Sequence, residues 1–104
     1  MNGKKFNVTT AVEGTELTVY LQGELDLAAA SEFRSYMEPL TSDGDISLTL
    51  DLSKLSYIDS TGIGILISIL KARKEMNAPF QIVQIPAQVQ KLFDMIGISK
   101  FFND

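Results

Sequence analysis

The fold is constrained most by the order in which apolar residues follow a strand-like alternation, then a helical repeat, and then a strand again. Residues 46–52 alternate strictly and place one set of apolar side chains on a single face, namely Ile46, Leu48, Leu50 and Leu52. This pattern predicts a strand. A helix is predicted from Ser60 to about Met76 with Asp59 as its N-cap, and a further strand at residues 80–85. A strand, a helix and a strand in this order require a parallel crossover within one sheet.

The first half of the chain predicts a hairpin followed by a helix. Residues 6–12 and 17–21 alternate partially, and the turn residues between them favour a β-hairpin. Residues 23–26 are interpreted as a break. Residues 28–38 are rich in helix formers, and Pro39 predicts a kink or an early stop.

The remaining segments complete the predicted fold. Residues 53–58 are interpreted as a connector, and a short helix is predicted from Pro86 to Gly97. The apolar tail, with Ile98, Phe101 and Phe102, is expected to dock on the core. We therefore predict one α/β domain over residues 1–104, in the order β-β-α-β-α-β-α. Its mixed sheet should have about four strands, with helices mainly on one face.

Composition restricts the chemistry that is available. The 104 residues include no Cys and no His, and the net charge is −4. The usual general base, the best nucleophile and the common transition-metal ligands are therefore absent, so any chemistry must be done by carboxylates, hydroxyls, lysine or arginine, or be done to this protein by a partner. Overall we expect no enzyme activity, no metal and no cofactor. An acidic chain also argues against direct nucleic-acid binding, and Lys71, Arg73 and Lys74 are interpreted as a solvated helix face. No apolar run approaches the ~20 residues of a membrane span and no export signal is seen, so we expect a cytoplasmic protein.

The helix after Asp59 carries more apolar residues than one packed face requires. One stripe is the usual core stripe, formed by Ile63, Leu66, Ile67 and Leu70. A second, nearly opposite, is formed by Ile65, Ile69, Ala72 and Met76. The second stripe is either covered by a neighbouring helix or exposed for a partner. Gly62 and Gly64 each cost the helix about 1 kcal/mol relative to Ala, which indicates either tight packing or close approach of a partner.

Ser60 is predicted to be the first residue of this helix. The first-turn N–H groups lack internal partners and the helix dipole is positive there, so the fold tolerates a phosphate at this position. Phosphorylation would add about −1.5 to −2 charges next to Asp59, and would displace a partner without unfolding the domain. The local residues alone favour an ordinary capped helix over a modification site.

Three segments together resemble one family. Residues 51–64, Asp-Leu-Ser-Lys-Leu-Ser-Tyr-Ile-Asp-Ser-Thr-Gly-Ile-Gly, are similar to the signature of the STAS-domain anti-sigma-factor antagonists. Residues 21–26 resemble the family's L-x-G-E-[LI]-D element, and residues 89–98 resemble its C-terminal helix. Ile96 replaces the small hydroxyl residue usual in that helix, which we interpret as a packing change.

The resemblance implies a partner-switching cycle. The unphosphorylated antagonist binds an anti-sigma factor, itself a serine kinase of the histidine-kinase-like ATPase class, and thereby frees the sigma factor. Phosphorylation inactivates the antagonist, and a PP2C-type phosphatase restores it. By position Ser60 matches the phosphorylated residue, with Thr61 a lesser target. The expected partner-binding residues are Gly23, Glu24, Asp26, Asp59, Ser60, Thr61, Gly62, Gly64, Ile65 and Ile69.

Other functions compete with this one. A STAS module that is never phosphorylated could act as a scaffold in a stress-signalling complex, but the intact Asp59-Ser60-Thr61-Gly62 segment and the lack of a sensor domain favour the antagonist. A nucleotide-binding enzyme would need a phosphate-binding loop, and none of the G-x-x-x-x-G-K-[ST] type is present. A hydrolase using the carboxylates of Asp26 and Asp59 is conceivable, although polar loop residues explain both more simply.

Overall fold

Four strands form one mixed sheet, and three helices connect or follow them. The computed structural model of the protein describes residues 5–97. The elements are β1 (Phe6–Glu13), β2 (Glu16–Leu25), α1 (Leu27–Thr41), β3 (Ser47–Ile58), α2 (Ser60–Glu75), β4 (Phe80–Val83) and α3 (Ala87–Met95). The strand order is β1-β2-β3-β4, with β1 antiparallel to β2 and the other two pairs parallel. The predicted fold class and element order are confirmed.

The core lies on one face of the sheet. Alternate residues of the two central strands are at most 8% exposed, namely Leu17, Val19 and Leu21 of β2 with Leu48, Leu50 and Leu52 of β3. Residues between them, such as Thr18 and Tyr20, are half-buried or exposed. Because apolar side chains gather on a single face, that face is the one the helices cover, as predicted.

Both central strands continue through segments that the sequence predicted to be a break or a connector. β2 extends through Gly23 to Leu25, and β3 extends to Ile58. The register between them shifts at Tyr20/Gln22 and again at Gly23/Glu24. Such bulges change which residues point to the core, so a simple alternation no longer marks the strand.

Helix α1 runs past Pro39 to Thr41, so of the two predicted alternatives, a kink or an early stop, the early stop is wrong. Proline in the last turn removes only one helical hydrogen bond, the one to the carbonyl of exposed Ser35. Ser42 then closes the helix, because its backbone N–H and its hydroxyl both donate to the Glu38 carbonyl, at 3.2 and 3.0 Å. β4 ends two residues before the predicted Ile85, where Gln84 has a φ of 56°. The tail beyond Gly97 lies outside the described residues.

Arg73 is buried, which contradicts its interpretation as part of a solvated face. Its side chain is fully inaccessible and donates five hydrogen bonds to backbone carbonyls: from Nη1 to Leu40, Thr41 and Asp43, and from Nη2 to Ile46 and Pro79. Burial lowers the pKa of Arg73, and the charge of Asp43 opposes this shift. The guanidinium ties the carbonyl end of α1 to the loop before β3 and the start of β4. It lies at the opposite end of α2 from Ser60, about 20 Å along the helix.

Candidate partner-binding site

The N-termini of α1 and α2 lie side by side and share one carboxylate. Asp59 Oδ1 accepts from the Gly62 N–H at 3.0 Å and caps α2, as predicted. Its Oδ2 accepts from the N–H of Leu27, the first residue of α1, at 3.1 Å. Asp26 caps α1 by accepting from the Ala29 N–H at 3.1 Å. Two positive helix ends therefore converge at this point of the surface.

Ser60 occupies the position that the sequence predicted. It is the first residue of α2 and its side chain is exposed, while Thr61 is half-buried. A hydroxyl here is accessible to an enzyme that modifies proteins. A phosphate on it would meet two favourable helix ends and the unfavourable charges of Asp59 and Asp26, so the domain has electrostatic means to tolerate it.

The segment before α1 is held against β1 and β3. Gly23 has a φ of 96°, and a Cβ there would overlap the carbonyl oxygen of Lys5. The Glu24 N–H donates to that same carbonyl at 2.8 Å, and the Ser56 hydroxyl donates to the Gly23 carbonyl at 3.1 Å. Gly23 thus has a role in the fold, since only glycine permits this conformation and approach. It fixes half-buried Glu24 and Asp26 beside the helix tips.

The two glycines of α2 differ in their surroundings. A Cβ on buried Gly62 would lie 2.7 Å from the Leu25 carbonyl oxygen and 2.8 Å from Ile58 Cγ1. A Cβ on exposed Gly64 would meet no atom within 4 Å. Tight packing therefore accounts for Gly62, whereas nothing within the described domain requires glycine at position 64.

The second apolar stripe of α2 is largely covered. Ile65 and Ile69 are 2% and 4% exposed, and both line a groove between α1 and α2 together with Met37. Of the two alternatives left open by the sequence, cover by a neighbouring helix is the one observed for these residues. Contact with a partner stays a prediction for them, and it requires insertion into that groove.

Sequence reasoning missed two exposed apolar side chains close to Ser60. Leu27, whose N–H bonds to Asp59, is 73% exposed, and Tyr57, two residues before Asp59, is 51% exposed. Leu27 falls off the helical stripe of Phe33, Met37 and Leu40, which is the signal that could have identified it. Together they add apolar area around a polar tip, an arrangement typical of protein interfaces.

Within residues 5–97, no group of three or more carboxylates is arranged to hold a metal ion. None of the helices in the same range combines the length and the apolar character needed to cross a bilayer.

A model of the STAS domain matches residues 7–103, which is nearly the whole chain. The chain belongs to the STAS-domain family. This STAS domain is similar to the anti-sigma-B factor antagonist of Staphylococcus aureus, with 28% identity over 97 residues that span 93% of this chain and 90% of that protein.

Solved structures share the fold at lower identity. An anti-sigma factor antagonist from Mycobacterium paratuberculosis has a TM-score of 0.84 at 19% identity, covering 94% of this chain and 83% of that one. The Bacillus cell fate determinant SpoIIAA in its phosphorylated form has a TM-score of 0.71 at 20% identity, covering 92% and 86%. The same fold thus occurs in a protein that has been seen with a phosphate.

Proposed function

We propose that this STAS domain is a cytoplasmic anti-sigma-factor antagonist that is regulated by phosphorylation of Ser60. Its unphosphorylated form binds an anti-sigma factor, and the sigma factor is released. Support comes from the family, from relatives named as antagonists over most of their length, and from the similarity to SpoIIAA in its phosphorylated form. A regulatory binding role also suits a chain without Cys or His.

The exposed hydroxyl of Ser60 at two converging helix ends is the observation that carries the proposal. The hydroxyl is free for transfer of a phosphoryl group, and the first-turn N–H groups of α2 favour an anion at this position. A bound partner would place its own surface against the same tip. The added charge would then be desolvated beside Asp59 and Asp26, which favours dissociation without any change of fold.

The proposed contact surface surrounds this tip. It combines residues that the sequence predicted as contacts with two exposed apolar side chains that it missed. The predicted residues are Gly23, Glu24, Asp26, Asp59, Ser60 and Thr61, and the added side chains are Leu27 and Tyr57. Gly64, one turn along α2, extends it, because an exposed glycine lets a partner approach the helix backbone. Gly62 contributes by placing α2 against Leu25 and not by contact.

The partners in this proposal are an anti-sigma factor that is also a serine kinase with a histidine-kinase-like ATPase fold, and a PP2C-type phosphatase. The kinase transfers the terminal phosphoryl group of ATP to the Ser60 oxygen, ADP leaves as the bond to the bridging oxygen breaks, and the hydroxyl proton passes to a base of the kinase or to solvent. The phosphatase returns the hydroxyl by hydrolysis. The sigma factor can serve sporulation, general stress or another regulon.

The test uses the purified protein and a purified anti-sigma kinase from the same organism. Ser60→Ala should fold, bind the kinase and take up no label from γ-labelled ATP, while the matched variant Thr61→Ala should be labelled as the wild type is. Ser60→Asp should bind at least about ten-fold more weakly than Ser60→Ala. Label on Ser60→Ala at the wild-type level would show that the site is wrong. Tight binding of the wild type without any labelling would support the unphosphorylated scaffold module instead.

A further inference from the structure

The two edges of the sheet differ in how they are protected. β4 has only four residues and is flanked by Pro79 and Pro86, which are usual ways to block an edge. β1 has eight residues and pairs with β2 without a bulge. No proline and no charged residue lies between Lys5 and Glu13. Among residues 5–97, no strand pairs with the outer edge of β1.

The backbone groups that β1 presents at this edge can be identified from its pairing with β2. The Glu24 N–H donates to the Lys5 carbonyl, and Glu13 pairs with Glu16 across the two-residue turn. Hydrogen-bonded pairs alternate in an antiparallel ladder, so the odd-numbered residues of β1 bond to β2. The N–H and C=O groups of the even-numbered residues, from Phe6 to Val12, therefore point away from the sheet.

Two antiparallel copies of β1 have complementary charges. If two copies of β1 pair antiparallel around Thr9, Lys5 of one copy lies opposite Glu13 of the other at both ends. Opposite charges in facing positions stabilise strand pairs and fix their register. In the same register the even-numbered residues face each other, so about eight backbone hydrogen bonds can form from groups that β2 leaves free.

The same register also covers apolar surface. Val12 is 70% exposed although it lies on the face of the sheet that carries the core, opposite buried Leu17. Pairing around Thr9 places Val12 of one copy opposite Phe6 of the other. Within each copy the Phe6 ring packs edge-on against the ring of Phe33, with 5.5 Å between the ring centroids. The backbone permits this alignment, and charge and apolar area favour it over the other registers that the backbone allows.

We propose that β1 is a dimerisation edge, which joins the four-stranded sheets of two copies of this chain into one continuous sheet with two-fold symmetry. The dimer goes beyond the function proposed above and needs no anti-sigma factor. Its failure in the test and failure of the Ser60 mechanism are therefore distinguishable.

The test is sedimentation equilibrium of the full chain from about 1 µM to about 500 µM, the range in which weak dimers dissociate. The wild type should show a monomer–dimer equilibrium. Thr10→Pro removes an outward N–H that the β1–β2 ladder does not use, and should raise the dimer dissociation constant at least about ten-fold. Thr10→Ala keeps that N–H and is the matched control, with little change expected.

A charge exchange tests the register without altering the backbone. Lys5→Glu and Glu13→Lys should each weaken the dimer several-fold, and the double variant should restore it, because the facing charges are again opposite. Lys91→Glu, an equal charge change on exposed α3, should have no such effect. These variants decide the question even if Thr10→Pro does not fold.

Two outcomes would overturn the inference: the wild type could remain monomeric over the whole range, or the dimer could be indifferent to Thr10→Pro and to the charge exchange. If the wild type is monomeric and Thr10→Pro weakens its binding to the kinase, this edge takes a strand from another protein and not from a second copy.

Discussion

Replacing each glycine of α2 in turn by alanine separates a packing requirement from a contact requirement. Both replacements gain the same helix propensity, about 1 kcal/mol. At Gly64 nothing opposes this gain, since the new methyl group meets no atom within 4 Å. Gly64→Ala should therefore raise the free energy of unfolding by about 1 kcal/mol, and the melting temperature by about 4–8 °C.

At Gly62 the methyl group would lie 2.7 Å from the Leu25 carbonyl oxygen. Overpacking of this kind costs about 1–3 kcal/mol. Because the propensity gain is common to both variants, the difference between their free energies of unfolding measures the packing cost at Gly62. Urea denaturation followed by circular dichroism gives both values, provided that the slopes agree.

The binding measurement completes this prediction. If a partner approaches the α2 backbone at Gly64, the stabilised Gly64→Ala variant should bind the anti-sigma factor at least about ten-fold more weakly. Ser68→Ala, one turn further along the same exposed face, is the control for nonspecific effects. A destabilised Gly64→Ala variant would refute the packing argument, and one that is more stable but binds normally would remove Gly64 from the contact surface.

Other substitutions test the rest of the fold and site. Arg73→Met removes five hydrogen bonds to backbone carbonyls, and the carbonyls of Thr41, Asp43 and Ile46 lose the donor that Arg73 supplies. The free energy of unfolding from urea denaturation should fall by about 3–5 kcal/mol, whereas the exposed control Lys74→Met should change it by less than about 0.5 kcal/mol. Asp59→Ala loses the cap of α2 and the bond to α1 and should cost about 1–3 kcal/mol, whereas Asp59→Asn keeps one acceptor oxygen for the cap and should cost less. An Asp59→Asn variant as stable as the wild type would show that the bond to α1 is negligible, and equal losses in the two variants would show that the cap is negligible. Ile69→Asp buries an unpaired charge, so its circular dichroism should show loss of the fold, and a folded variant would contradict the burial of Ile69.

The sequence predicted those parts of the molecule whose cause is local. Strict alternation in residues 46–52 marks β3, and Asp59 followed by a helical stripe marks α2, because cap and period are properties of neighbouring residues. The predicted break at Gly23 failed for a different reason. A bulge depends on the strand alongside, so it cannot be recognised from one strand's own pattern.

Arg73 shows the same limit for a side chain. In the sequence it stands between Ala72 and Lys74 on a helix and resembles any solvated cation. The carbonyls that bind it belong to residues 40–46 and to Pro79, and only the fold brings these together. The hydrogen bond between Asp59 and the Leu27 N–H could not be predicted for the same reason, because the two residues are 32 positions apart in the sequence. The cap that Asp59 provides for its own helix was predicted.

The shared carboxylate of Asp59 has a consequence for timing. It ties the tips of both helices together, and the Asp59 N–H also donates to the Leu25 carbonyl at 3.3 Å. Because these hydrogen bonds already hold the surface in place, it is preorganised for a partner, and binding costs little conformational entropy. In the proposed cycle no slow rearrangement of this domain then stands between its two states. The pace of switching would be set by the enzymes that add and remove the phosphate, and by how quickly the complex comes apart.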